Sequence, residues 1–209
     1  MAQLFQIHPE HPQPRLIKQA AEIARSGGLI ALPTDSAYSL AGVAGYAPLL
    51  DRIRRIRGVD ERHHFTLMCR DLSEIATYAR VDNSRYRLLK AVTPGAYTFI
   101  LEGTRELPRR LLHPKRKTIG LRVPKSAIAL ALLEELNEPL LTSTLLLPGD
   151  EAPLTEAEEI RARLEKQLDL IIDAGQCGSA MTTIINLTGV EPELVRAGQG
   201  PLEPFGLDG

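Results

Sequence analysis

Apolar residues recur at helical spacing over Arg15 to Ser26, where Leu16, Ala20, Ala21, Ile23 and Ala24 form one stripe and Gly27-Gly28 ends it. The apolar run Leu29 to Leu32 then reads as a buried strand stopped by Pro33. Pro48 to Arg57 repeats the helical signal, with Leu49, Leu50, Ile53 and Ile56 on one side and Arg52, Arg54, Arg55 and Arg57 on the others. Pro48 suits its first turn and Gly58 closes it. Phe65 to Cys69 predicts a strand, and Leu72 to Tyr78 and Ser84 to Ala91 predict helices. Tyr97 to Leu101 and Thr118 to Val123 read as strands separated by a basic stretch, and Ser126 is a good N-cap for a helix to Leu136. Leu140 to Leu147 predicts a strand around Thr142-Ser143-Thr144, leading to a Pro148-Gly149 turn. Thr155 with Glu158 has the spacing of a capping box opening a helix to Gln167. Further strands are expected at Leu168 to Asp173, Thr182 to Leu187 and Leu194 to Arg196. Helices and strands alternate with no fixed repeat and no long linker. The expectation is one α/β domain over 1–209, core from about 15 to 200, on a twisted mixed sheet flanked by helices.

Composition narrows the class. A chain of 209 residues with 44% hydrophobic content can bury a full core without disulfide staples. Two cysteines, Cys69 and Cys177, allow one bridge at most, and free thiols in a reducing compartment are expected. Aromatic content of 4% argues against an RNA-binding sheet that stacks several bases. The longest uncharged runs, Ser36 to Leu50 and Ala174 to Val190, are broken by Gly, Pro and polar residues, so no membrane span is expected. The start lacks a basic segment followed by an apolar one, and a cytoplasmic location is expected.

The net charge of −1 conceals a split. Arg52 to Lys125 holds 18 Lys and Arg against seven Asp and Glu, leaving seven bases and 19 acids elsewhere. Such asymmetry suits a face for phosphate or nucleic acid, although amphipathic helices also collect surface arginines. The dinucleotide fingerprint, the P-loop, His-Glu-x-x-His, paired Cys motifs and Gly-x-Ser-x-Gly are all missing from the sequence. His63-His64 is the one suggestive histidine pair, since one of two neighbours on a strand would look into a site; a loop histidine is the plainer reading. Pro33-Thr34-Asp35-Ser36-Ala37-Tyr38-Ser39-Leu40 follows a buried strand directly, where open α/β sheets place ligands. An Asx or Ser/Thr turn accounts for the same residues.

That segment resembles the substrate loop of the threonylcarbamoyl-AMP synthase family, the YrdC/YciO fold. Further pieces fit in order: Phe65-Thr66-Leu67-Met68, Thr93-Pro94-Gly95, Tyr97-Thr98-Phe99, Gly120-Leu121-Arg122-Val123-Pro124, Pro139 to Gly149, Thr182-Thr183-Ile184-Ile185-Asn186 and Val195-Arg196-Ala197-Gly198. The match covers nearly the whole chain and is nearest to YciO-type members, through the start around His8 and the block from Leu107. The resemblance implies a sheet with a positively charged concave surface and a reaction joining ATP, L-threonine and bicarbonate into threonylcarbamoyl-AMP and pyrophosphate, for an adenosine beside the tRNA anticodon. By resemblance, Thr34, Tyr38, Arg57, Thr66, Arg122, Ser143, Thr144, Thr182 and Arg196 line the threonine or nucleotide pocket, with Thr183 also matching. A strand arginine paired with a carboxylate is the alternative for Arg122, and β-propensity alone accounts for Thr182 and Thr183.

The family's phosphate clamp is a Lys-x-Arg pair and a Ser-x-Asn pair. The aligned positions here are Arg57 with Val59, and Thr144 with Leu146. Val59 and Leu146 offer no polar side chain, and losing one charge-assisted contact costs about 1.5–3 kcal/mol. The resemblance therefore implies weak or altered synthase activity linked to threonylcarbamoyl-adenosine chemistry. A full synthase with a clamp rebuilt from Arg55 and Lys115 to Lys117, and a non-catalytic RNA-binding or ribosome-associated module, remain alternatives. Arg52, Arg54, Arg55, Arg62, Arg109, Arg110, Lys115, Arg116 and Lys117 are the candidate surface for double-stranded RNA or tRNA, with a solvated loop as the plain alternative. No permanent cofactor or metal site is expected; ATP with Mg²⁺ would arrive as substrate.

Overall fold

Two helices begin as their sequences prescribe, with Pro14 and Pro48 in the first turn, where a missing N–H costs nothing. The computed structural model describes residues 1–207. Its helices are α1 (Pro14–Arg25), α2 (Pro48–Arg57), α3 (Leu72–Tyr78), α4 (Asn83–Val92), α5 (Ala127–Leu136) and α6 (Ala157–Leu164). The strands are β1 (Gln3–Gln6), β2 (Ile30–Leu32), β3 (Ser39–Val43), β4 (Thr66–Met68), β5 (Tyr97–Glu102), β6 (Thr118–Arg122), β7 (Leu140–Thr144), β8 (Leu170–Asp173), β9 (Thr183–Asn186) and β10 (Glu193–Arg196). Asp71, Asp82 and Ser126 each accept the backbone N–H three residues on and so cap α3, α4 and α5.

All ten strands form one mixed sheet in the order β1-β8-β2-β3-β7-β4-β6-β5-β9-β10. The pairs β1/β8, β2/β8, β4/β6 and β5/β9 are parallel and the others antiparallel. One face carries α1 and α5, whose Ala20, Ala21, Ala24, Ile128, Leu132 and Leu133 pack on Ile30, Leu32, Ala41, Met68 and Leu140. The other buries the apolar sides of α2, α3, α4 and α6 against Leu40, Leu67, Phe99, Leu121 and Leu141. Among the described residues, no helix is long and apolar enough to cross a membrane.

Three local readings are corrected. The capping box at Thr155 and Glu158 does not form: α6 begins one residue later with Glu156 at its N-cap, and the Thr155 carbonyl instead accepts the Cys177 N–H at 2.9 Å. Strands β1 and β3 were not expected, and β3 makes the second half of the Pro33–Leu40 segment sheet rather than loop. His63 and His64 lie in the loop before β4, not on the strand.

Candidate functional site

The side-chain alternation of a strand divides the α1/α5 face into two ends. In β4 and β7, Met68 and Leu140 sit beneath the helices, while Thr66 and Thr142, paired across the two strands, lie beyond them on the same face. Ser39 of β3 pairs with Thr144 and extends this hydroxyl row. Gly120 of β6 pairs with Thr66, and a Cβ there would stand 3.0 Å from Thr66 Oγ1 and 3.1 Å from Thr98 Cγ2. A glycine floor under a row of hydroxyls leaves a cavity of about 190 Å³.

Three guanidinium groups reach it. Gly58, at φ 62°, ends α2 and leaves Arg57 at the cavity, where Nε donates to Ser143 Oγ at 3.1 Å and Nη1 donates to the Leu146 carbonyl. Arg122, at the end of β6, donates Nη2 to Asp35 Oδ1 at 2.5 Å and Nη1 to Ser36 Oγ at 3.2 Å. Its Nε is buried without a partner among the described residues. Arg196 of β10 donates twice to the Thr182 carbonyl, at 2.9 and 3.2 Å. Burial pushes all three below the ordinary arginine range; the Arg196 charge adds to this at Arg57, while Asp35 opposes it at Arg122. None of the lining residues is a carboxylate. The remaining wall is His63, His64, Thr98, Thr182, Leu146, Met181 and Ile184. Thr98 and Thr182 share a 2.9 Å hydrogen bond that joins β5 to the entrance of β9.

Such a wall stabilises negative charge at several points while its hydroxyls orient small polar groups. It contains no carboxylate with which to hold a divalent cation. Among the described residues, no group of three or more His, Cys, Asp or Glu could hold a metal ion. A wider hollow of about 780 Å³ beside β1 includes Glu22 and Asp169, and its one arginine, Arg52, is engaged by Asp169 at 2.8 Å and by the Gln167 carbonyl at 3.0 Å.

The structure thus brings Arg57, Thr66, Arg122, Ser143, Thr144, Thr182 and Arg196 to one cavity. Tyr38 is placed elsewhere: its ring is fully buried in the core, and its hydroxyl donates to the Ile172 carbonyl at 2.9 Å. Thr34 closes a local turn, donating to the Ala37 carbonyl at 2.7 Å. Thr183 donates to the Gly200 carbonyl at 2.6 Å and so ties down the segment after β10. Sequence reading missed Thr98 and Thr142 as site residues, whose roles depend on strand pairing, and had Ser39 only as part of the Pro33–Leu40 segment.

Among the basic residues, Arg55, Arg62, Arg109, Arg110, Lys115, Arg116 and Lys117 are exposed. Arg52 is held in its ion pair, and Arg54 lies over the Phe65 ring at 5.7 Å. The 113–117 turn adjoins the cavity, because His113 stacks on His64 with centroids 4.7 Å apart.

Comparison with known proteins agrees with this layout. A family model, Sua5_yciO_yrdC, described as "Telomere recombination", matches residues 22–198. The chain is 56% identical to YciO of Escherichia coli (strain K12) over 205 residues, covering 98% of the chain and 100% of the relative. The E. coli YciO crystal structure superposes with a TM-score of 0.95. Human threonylcarbamoyl-AMP synthase is 31% identical over 167 residues, 79% of this chain and 58% of that protein. Pyrococcus abyssi Sua5, crystallised with L-threonine, is 26% identical with a TM-score of 0.88, over 97% of this chain and 59% of that one. The chain therefore spans under two thirds of those synthases but all of YciO. With its open hydroxyl-lined sheet face and matches running almost end to end, the chain belongs to the Sua5/YciO/YrdC family.

Proposed function

We propose that the cavity binds a nucleoside triphosphate together with a small hydroxylated amino acid such as L-threonine, and that the exposed basic surface binds structured RNA, double-stranded or tRNA. The chemistry is that of threonylcarbamoyl-adenosine formation, with weak or altered threonylcarbamoyl-AMP synthase activity. One observation carries the reading: Arg57, Arg122 and Arg196 converge on a hydroxyl-lined cavity whose wall contains no carboxylate. Arg57 and Arg196 have no carboxylate partner among the described residues, unlike Arg122, which Asp35 compensates; guanidinium groups so placed favour a polyanion, and the threonine hydroxyls suit an amino acid or ribose. The relatives named as threonylcarbamoyl-AMP synthases, and the threonine bound to P. abyssi Sua5, support ATP and threonine as the ligands.

In this reading Arg57 and Arg196 neutralise charge on the leaving pyrophosphate, and Arg122, fixed by Asp35 and Ser36, holds the inner wall of the cavity in place. Mg²⁺ enters with ATP as part of the substrate. The test is pyrophosphate release from ATP and bicarbonate, with and without L-threonine. A slow release that rises with threonine supports the reading; release indifferent to threonine refutes the synthase component.

Leu146 favours a second reading. Its side chain stands in the cavity wall where a polar clamp residue would serve catalysis. The protein would then be a non-catalytic RNA-binding or ribosome-associated module that kept the fold and lost the clamp. Val59→Arg with Leu146→Asn tests the clamp itself: a large gain in release marks a clamp that is broken in the native chain, and no gain or a loss favours a rebuilt one. Steeply salt-dependent RNA binding that ATP leaves unchanged would instead mark a module with no use for the cavity.

A further inference from the structure

Two imidazoles stand in the cavity wall beside its guanidinium groups. His63 Nε2 lies 3.3 Å from Ser143 Oγ, the same oxygen that accepts the Arg57 Nε–H. The His63 ring meets Phe65 edge-on. His64 stacks on His113, and its Nε2 is buried with no partner among the described residues. His64 also lines the cavity, and a small turn of its ring toward a ligand would give this unpartnered nitrogen a hydrogen bond.

The charged groups facing the two rings are arginines, with one carboxylate among them. His63 meets Arg54 and Arg57 of α2, His64 beside it, and Asp60 as its one acidic neighbour. His64 meets His113 and Arg116 of the basic turn. Burial first, and the basic neighbours second, Arg57 and Arg54 at His63 and Arg116 at His64, hold His63 down to about 4 and push His64 down as well. Before a ligand binds, His63 is therefore neutral at physiological pH, and His64 is pushed the same way. The same cations that exclude a proton are the ones a polyanion would neutralise, and an opposite charge within about 4–6 Å favours imidazolium.

We propose that His63 and His64 are ligand-binding residues that take up protons when a phosphate-bearing ligand enters the cavity, so that imidazolium N–H donors join the guanidinium groups around it. The proposal rests on the polyanion reading above and deepens it. Affinity for the ligand then rises as pH falls, by up to about tenfold per pH unit for each proton taken up. Asp60 works against this by favouring a charged His63 before the ligand arrives, so Asp60→Asn enlarges the uptake.

The test is calorimetry of inorganic pyrophosphate binding near pH 6.5, about the ordinary imidazole value, in buffers of different ionisation enthalpy. Wild type, His63→Gln and His64→Gln are compared, so that protons belonging to pyrophosphate itself cancel. The proposal expects each variant to take up measurably fewer protons than wild type, and to bind several-fold more weakly below about pH 7 with a flatter pH profile. Equal uptake in all three proteins overturns it while leaving the polyanion reading intact. No pyrophosphate binding at any pH overturns both. Imidazole ¹⁵N shifts of the wild-type protein provide the variant-free check: on pyrophosphate addition they move to imidazolium values, and rings that stay neutral in the complex refute the proposal.

Discussion

Arg122 is the residue whose removal the structure prices most sharply. Its side chain is 5% exposed and that of Asp35 11%, and the two meet at 2.5 Å. Arg122→Met keeps most of the aliphatic stem but leaves the Asp35 carboxylate nearly buried and unpaired. Breaking a buried pair from one side costs about 3–5 kcal/mol. For a domain of this size that corresponds to a fall in Tm of roughly 6–20 °C. Asp35→Asn keeps an oxygen acceptor for the guanidinium and costs less, about 1–3 kcal/mol. Together, Arg122→Met and Asp35→Asn remove both charges, and the double variant recovers part of the loss with a coupling of about 1–3 kcal/mol. The assay is equilibrium denaturant unfolding of the four proteins at neutral pH. An Arg122→Met cost below about 1 kcal/mol, or additivity within about 0.5 kcal/mol, refutes the description of this pair as buried and mutually dependent.

Three other outcomes follow from the cavity and its surroundings. Gly120→Val places methyl groups among Thr66, Thr98 and the Phe65 carbonyl, so it costs about 1–3 kcal/mol in unfolding free energy and abolishes ATP binding in titration calorimetry. Because the folded-state value of His63 lies near 4 against 6.5 in the unfolded chain, the unfolded state gains protons first; stability is full above about 6.5 and declines as pH falls toward 4, and His63→Gln flattens that part of a thermal-melt profile. Lys115→Ala, Arg116→Ala and Lys117→Ala combined weaken RNA binding and reduce the slope of log K against log salt by about 2–3, read by filter binding across a salt series.

The sequence made some elements plain and hid others for physical reasons. Helix α2 carries its own signals, Pro48 at the start, an aliphatic stripe and Gly58 in the left-handed region at the end, and its ends were readable. Strand β3, Ser-Leu-Ala-Gly-Val, has small residues in place of β-branched ones, and only pairing with β2 and β7 makes it a strand. Strand β1 likewise exists through its parallel pairing with β8. The hydroxyl row was half legible: Thr66 beside Leu67, and Thr142 and Thr144 around Ser143, show alternation within their own strands. Thr98 sits in an apolar strand, and only the parallel pairing of β5 with β9 brings it to Thr182. Tyr38 misled for the converse reason. A tyrosine in a polar loop reads as facing a ligand, yet its large ring fills the core and its hydroxyl finds a backbone carbonyl. The acidic partner of Arg122 lies 87 residues away in sequence, so its burial could not be read locally.

A cationic cavity wall must meet phosphate, and titration of ATP into the purified protein measures whether it does. Wild type, Arg57→Met and Arg196→Met are compared at fixed salt. Wild type binds ATP saturably and each variant loses about 10- to 100-fold in affinity, the scale of one charge-assisted hydrogen bond. Wild-type protein that leaves ATP unbound, or variants that bind it as tightly as wild type, would contradict a phosphate-binding wall.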